Sequence, residues 1–328
     1  MREIAIALVF CLFLVSCDKD NENNEPELSK VAYKQEMRNF VIGISKYAKA
    51  KHTGFSIIPQ NGIELVTETG DDNAAPHVAY LAAIDGNGQE DLFYGYNQDD
   101  EPTPNADIQY LIAFLDISKN AGNTILVTDY CSTHSKMTDA VQKNTQKGYI
   151  PFPADHRELD HIPSFPNQIV GENAAIITQL SDAKNFLYLI NPQNFSTKND
   201  FIQAVVASNY DLLIMDLFFK NGVQFTDSEI NQLKVKANGG KRLVVCYMSI
   251  GEAENYRYYW KTEWDTNKPL WMDEENSDWP GNYKVKYWNK DWQAIIYGND
   301  NSYLKRIIDA DFDGVYLDII DAFDYYDN

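Results

Sequence analysis

Basic residues are scarce in this chain of 328 residues, which has 28 lysines and arginines against 48 acidic residues and a formal net charge of −20. Contacts with nucleic-acid phosphates depend on Lys and Arg side chains, so the composition excludes nucleic acid as the default partner. A cationic or neutral partner remains open. Hydrophobic residues (44%) and aromatic residues (13%) are more abundant than in disordered chains, and we expect one large folded domain or two ordinary ones.

Cysteine and histidine are also scarce, with four and five residues, and their spacing matches no metal-binding motif. We therefore expect no metal ion and no cofactor. Cys131 and Cys246 each follow an apolar run, which favours two buried thiols. A disulfide between them is the alternative in an oxidising compartment. The absence of a glycine-rich phosphate loop argues against a nucleotide-binding fold.

The N-terminus has the pattern of an exported lipoprotein. An apolar run over residues 4–15 follows Arg2, too short for a membrane span but typical of a signal peptide. It ends in LVSC, which resembles a bacterial lipoprotein box in which Cys17 is lipidated. We expect residues 1–17 to be the signal peptide and lipobox; an ordinary cleaved signal peptide is the alternative.

Residues 18–30 are mostly Asp, Asn, Glu and Lys, a composition that cannot bury a core and indicates an acidic, disordered tether. An acidic tether after a lipidated cysteine resembles the surface-export signal of bacterial lipoproteins. The protein is therefore expected on the bacterial outer membrane, bound to lipid through Cys17, at the cell surface or facing the periplasm. The folded domain then covers residues 31–328.

Short apolar runs alternate with helical patterns in that domain, as in α/β proteins with buried parallel strands. At about 34 residues for each strand and helix, the spacing predicts a single (β/α)₈ TIM barrel, with an open doubly wound sheet as the alternative. A helical stripe at residues 37–48 precedes the first strand and can fill the gap beside the eighth. The predicted strands are 54–59, one between 78 and 96 interrupted at 85–88, 124–128, 149–152, 186–190, 211–217, 243–248 and 314–317.

Polar residues follow these strands, where barrel enzymes build their active sites. A single acidic residue in such a place is more often a helix cap or loop anchor than a catalyst. Carboxylates that gather at one face raise each other's pKa and cost stability, so a ring of them suits a hydrolase. The candidates include Asn61, Glu90, Asp129, Asp216, Tyr247, Glu252, Glu254, Asp318 and Asp321.

All six tryptophans and five tyrosines lie in a long segment after the seventh predicted strand, residues 252–292. Aromatic faces stack on sugar rings and attract cations. The alternative is a local aromatic core that stiffens the segment. We expect both, with one to three rings facing the cleft, and take Trp260 as the candidate.

Several segments carry a family resemblance: residues 247–257 (YMSIGEAENYR), 279–288 (WPGNYKVKYW), 312–318 (FDGVYLD) with Asp321, 57–62 (IIPQNG) and 90–94 (EDLFY). Together they resemble extracellular bacterial proteins related to glycoside hydrolase family 114, the endo-α-1,4-polygalactosaminidases. The resemblance covers about residues 33–328. In the relatives the last two segments follow the one that ends at Asp321, so this chain resembles a circular permutant. Termini of a closed barrel lie close together, which allows such a permutation.

The resemblance implies a retaining endo-glycosidase that hydrolyses an α-linked, galactosamine-like amino-sugar polysaccharide, with Asp318 as nucleophile and Glu90 as general acid/base. Retention requires carboxyl groups about 5–5.5 Å apart. The sugar stays open, because Glu252 stands where the fungal enzymes of the family differ. The positions assigned to substrate binding are Asn61, Tyr94, Asp129, Asp216, Tyr247, Glu252, Glu254, Arg257, Trp260 and Asp321.

The alternative is a surface lipoprotein that binds carbohydrate on the same barrel without catalysis. In either case we expect a monomer whose partners are a polysaccharide or oligosaccharide and the outer-membrane lipid.

Overall fold

The computed structural model describes residues 30–327, so the predicted signal peptide, Cys17 and nearly all of the tether lie outside the described residues. The helices are α1 Lys30–Lys51, α2 Val78–Ala83, α3 Asn105–Asn120, α4 His134–Lys147, α5 Lys198–Val206, α6 Asp227–Leu233, α7 Lys290–Ile296 and α8 Tyr303–Asp309. The strands are β1 Ser56–Pro59, β2 Gly86–Glu90, β3 Thr124–Tyr130, β4 Ile150–Ala154, β5 Phe186–Tyr188, β6 Leu212–Met215, β7 Leu243–Ser249, β8 Glu252–Glu254, β9 Met272–Glu275, β10 Asn282–Val285 and β11 Gly314–Asp318. Within this range no helix is long and apolar enough to cross a membrane.

Two parallel sheets form the centre of the fold. One has the order β1-β11-β7-β6-β5 and the other the order β2-β3-β4, and every neighbouring pair in both is parallel. A parallel bridge between Gln60 and Gly88 joins the end of β1 to β2. The predicted α/β fold with parallel strands is thus confirmed.

Helix α1 packs its apolar stripe against the rest of the domain, as its sequence predicts. Met37, Phe40, Val41 and Ile44 are fully buried on this face. On the same helix, the buried guanidinium of Arg38 donates to the carbonyls of Leu65 and Thr67 at 2.9 and 2.5 Å. These bonds satisfy a charged group that would be costly to bury alone.

Strand β2, Gly86–Glu90, contains three of the four residues that were expected to interrupt it, so that expectation is wrong. The strand needs glycine because neighbouring groups of the same chain lie very close. A Cβ atom at Gly88 would lie 1.9 Å from the hydroxyl oxygen of Tyr316. At Gly86 a Cβ atom would lie 2.6 Å from the carbonyl oxygen of Thr124. Glycine normally weakens a strand, but in β2 it leaves room for the Tyr316 side chain and the Thr124 backbone to approach closely.

The long aromatic segment after β7 is an antiparallel sheet of order β8-β10-β9 rather than a loop. Trp264, Trp271 and Trp292 are buried beneath it, with ring centroids 5.2 and 5.0 Å apart along the row. The expected aromatic core is therefore present. Two further helices, α7 and α8, follow this sheet and are separated near Gly298, whose φ is 101°.

Cys131 and Cys246 are both free and buried, so the expectation of two thiols is confirmed.

We predict that Gly88→Ala lowers the free energy of unfolding by about 1–3 kcal/mol, because the added methyl group overlaps the Tyr316 ring. Urea denaturation measures the loss. Gly54→Ala is the matched control, since a Cβ there meets only a His52 ring carbon at 3.9 Å. Equal unfolding free energies for the two variants would contradict the packing argument.

Candidate active site

A cavity of about 680 Å³ opens where the parallel strands of both sheets end. Carboxyl ends of parallel strands meet at one edge, which is why the side chains that follow them gather there. Of the predicted site residues, it is lined by Asn61, Glu90, Asp216, Tyr247, Glu252, Glu254, Arg257, Asp318 and Asp321.

Neutral donors hold the Glu90 carboxylate at the end of β2. Gln60 and Asn61 donate to Oε2, the latter at 3.1 Å, and the Tyr130 hydroxyl donates to Oε1. Gln60 is itself fixed by a bond from the Tyr188 hydroxyl at 2.9 Å. The carboxylate thereby has a defined direction into the cavity.

The Asp318 carboxyl group lies at the end of β11 and is also held by neutral donors. Tyr247 donates from its hydroxyl to Oδ2, and the backbone N–H of Ile319 donates to Oδ1 at 2.8 Å. Ile319 has a φ of 57°, which is uncommon for a β-branched residue and directs its N–H back at the carboxyl group. Burial, assisted by the charge of Glu90, raises the pKa of Asp318 to about 7.

Asp321 adds a third half-buried acid one turn further along the chain. Burial and the charge of Asp324 raise its pKa to about 7. The cavity floor therefore holds carboxyl groups that exchange protons near neutral pH, a property that catalytic acids and bases share.

Asp216 and Glu254 differ from these acids because both pair with Arg257. One guanidinium nitrogen lies 2.7 and 2.9 Å from the two oxygens of Asp216, and Nε lies 2.5 Å from Glu254. Tyr256 also donates to Glu254 at 2.6 Å. Burial still raises the pKa of Asp216, against the charge of Arg257. In this triad two acids share one positive charge, so the charge of this cavity wall is partly compensated.

Glu252 receives bonds from Asn276 and Tyr325, each at 2.8 Å, and faces the cavity from β8.

Three predicted site residues do not line this cavity. The Tyr94 hydroxyl turns away and donates to Asp139 at 2.7 Å. Asp129 is buried behind the site, where it accepts bonds from the backbone N–H groups of Phe93 and Tyr94 at 2.6 and 3.0 Å. It anchors the loop after β2, the structural role that acidic residues after strands often have.

Trp260 packs on Trp264 and Tyr283 and donates from its ring N–H to Asp265 at 2.8 Å. The tryptophan at the cavity is Trp279, which is 58% exposed. Sequence alone could not choose between them, because both lie in one aromatic segment without helical or strand periodicity.

Gln60, Tyr130 and Tyr188 are functional candidates outside the predicted set. Gln60 directly follows β1 and Tyr130 is the last residue of β3, so their places at strand ends could have indicated them. Tyr188 is the polar end of an otherwise apolar strand, β5, and its hydroxyl is buried against Gln60.

Residues 177–328 match the sequence model of glycoside hydrolase family GH114. The resemblance expected from the motifs is confirmed for this part of the chain. The matched part contains Asp216, Tyr247, Arg257, Asp318 and Asp321, whereas Glu90 precedes it.

Three relatives are uncharacterized proteins. That of Methanocaldococcus jannaschii is 40% identical over 158 residues, covering 47% of this chain and 42% of the relative. That of Thermotoga maritima is 41% identical over 37% of this chain and 36% of the relative. That of Deinococcus radiodurans is 39% identical over 39% of this chain and 38% of the relative. The chain thus spans less than half the length of each.

We predict that Asp318→Asn stabilises the fold increasingly as the pH rises. Because the pKa of Asp318 is higher in the folded than in the unfolded protein, protonated Asp318 stabilises the fold. This contribution to the free energy of unfolding is complete below the unfolded-state pKa near 4 and is lost as the pH rises through the folded-state pKa of about 7. Urea denaturation should show the variant gaining on wild type by up to about 3 kcal/mol between pH 5 and pH 8.

Asp309→Asn is the control, because Asp309 is an exposed acid that pairs with Lys305 and does not line the cavity. A pH-independent difference for Asp318→Asn would rule out the raised pKa.

Proposed function

We propose that the protein is a retaining endo-glycosidase that hydrolyses an α-linked amino-sugar polysaccharide. The observation that carries this proposal is the contrast among the acids of the cavity. Asp216 and Glu254 share the single positive charge of Arg257, whereas no ion pair within residues 30–327 involves Asp318 or Glu90. Uncompensated carboxyl groups in one cavity cost stability, and a glycosidase needs such a pair.

In this mechanism Asp318 attacks the anomeric carbon while a protonated Glu90 gives its proton to the leaving glycosidic oxygen. Glu90 then takes a proton from water, which attacks the same carbon and releases Asp318. Strand β1 pairs with β11 on one side, and Gln60 just after β1 bridges to Gly88 in β2 on the other. Asp318 and Glu90 therefore end the two strands on either side of β1 and approach the sugar from there. The carboxyl groups would need to be about 5–5.5 Å apart.

The charge of the cavity favours a cationic sugar. Its two arginines, Arg157 and Arg257, are already paired with acids, so the remaining carboxyl groups leave a negative field. An ammonium group on the bound sugar would favour the ionised form of Asp318, the form that a nucleophile requires. Trp279 and Tyr256 are exposed at the cavity and offer faces for sugar stacking.

We also propose that the two sheets close into one (β/α)₈ barrel. The Gln60–Gly88 bridge lies at one seam, and at the other the rings of Phe152 in β4 and Phe186 in β5 are 5.3 Å apart. A family match confined to residues 177–328 is what a circular permutant would give, since the preceding half would then follow in relatives. Acylation at Cys17 would hold this domain on the outer membrane.

The decisive experiment incubates the purified protein with an α-1,4-linked galactosamine polymer, its N-acetylated form and a β-linked glucosamine polymer, and measures new reducing ends. We expect turnover on the deacetylated α-linked polymer. Asp318→Asn and Glu90→Gln should each lower kcat on the order of 10³-fold or more. Glu274→Gln, which changes an exposed acid paired with Lys284, should not.

Unchanged turnover in both cavity variants would contradict the assignment. Binding of the polymer without any new reducing ends would instead identify a non-catalytic carbohydrate-binding protein.

A further inference from the structure

Outside the catalytic cavity, the loop that follows β4 brings two histidines and an aspartate together. The Nδ1 atoms of His156 and His161 lie 2.9 and 2.8 Å from the same oxygen, Oδ1, of Asp160. One potential ligand atom from each of the three residues lies within 4.8 Å of the others. A turn with Leu159 at φ 50° folds the loop back so that these groups converge.

Outer contacts orient two of these groups. The side-chain amide of Asn194 donates to the other oxygen of Asp160 at 2.7 Å, which leaves Oδ1 to face the histidines. On the far side of His161, Nε2 lies 3.1 Å from a carboxylate oxygen of Asp155. A carboxylate on the second ring nitrogen is the arrangement that fixes the tautomer and orientation of histidines that bind metals.

We propose that His156, Asp160 and His161 bind one divalent transition-metal ion of the Zn²⁺ class. Two imidazole nitrogens and one carboxylate oxygen suit such an ion, whereas Mg²⁺ and Ca²⁺ prefer oxygen ligands throughout. The ion would replace the protons that otherwise join the two rings to Asp160. This proposal departs from the expectation of no metal, because the ligand spacing follows a loop turn and matches no sequence motif.

The ion would have a structural role. Arg157, Glu158 and Leu159 lie between the ligands and line the catalytic cavity. Arg157 pairs with Asp91 at 2.9 Å, and its guanidinium lies 3.8 Å from the ring centre of Tyr130, a residue that bonds to Glu90. A metal ion at this loop would therefore hold one wall of the cavity in place, whatever the reaction is.

The test uses protein made without a histidine tag, freed of metal with a chelator and titrated with ZnCl₂ in a calorimeter. We expect one equivalent of Zn²⁺ to bind, and both His161→Ala and Asp160→Asn to weaken binding at least tenfold. His134→Ala is the matched control, since His134 is exposed and stacks on Phe165 away from the cluster. Zn²⁺ should also raise the Tm of wild type and of the control only.

If His161→Ala or Asp160→Asn fails to fold, His156→Ala still tests the site, because the side chain of His156 is 53% exposed and this variant should fold normally. Absence of one-to-one binding, equal affinity in His156→Ala and wild type, or equally tight binding of Ca²⁺ or Mg²⁺ would each overturn the proposal.

Discussion

The carboxyl groups of Asp318 and Glu90 share one cavity, and each is held only by hydroxyl and amide donors. Most of the local structure can be understood as a means of keeping them there. Gly88 lets β2 approach Tyr316 closely enough to bring Glu90 beside β1, and Ile319 adopts a left-handed conformation to reach Asp318. A strained backbone conformation of this kind is kept only where the surrounding packing holds it in place, and it is common at functional sites.

Two other acids of the cavity are paired with a basic residue, since Asp216 and Glu254 share Arg257. Breaking a buried pair of this kind leaves an uncompensated charge, so these pairs are expected to be structural as well as electrostatic. The family match covers Asp216, Glu254 and Asp318, so acids of both kinds lie in the part of the chain that matches the GH114 model, whereas Glu90 precedes it.

Sequence reasoning selected Asp318, which follows an apolar run, and Glu90, which the family motifs indicated, and both side chains line the cavity. It failed at β2, whose Gly and Asn residues look like a turn until Tyr316 is known to pack on them. It also chose Trp260 instead of Trp279, since exposure within an aromatic cluster depends on tertiary packing. The sequence also did not predict the cluster of His156, Asp160 and His161, because a turn of the loop brings these residues together.

The stereochemistry of the first product tests the catalytic pair most directly. Proton NMR during early hydrolysis of the α-linked galactosamine polymer resolves the anomer of each new reducing end before it equilibrates. A nucleophile at Asp318 and an acid/base at Glu90 predict the α-anomer, because two displacements restore the original configuration. The β-anomer would mean a single displacement by water and would contradict the roles assigned to these two residues.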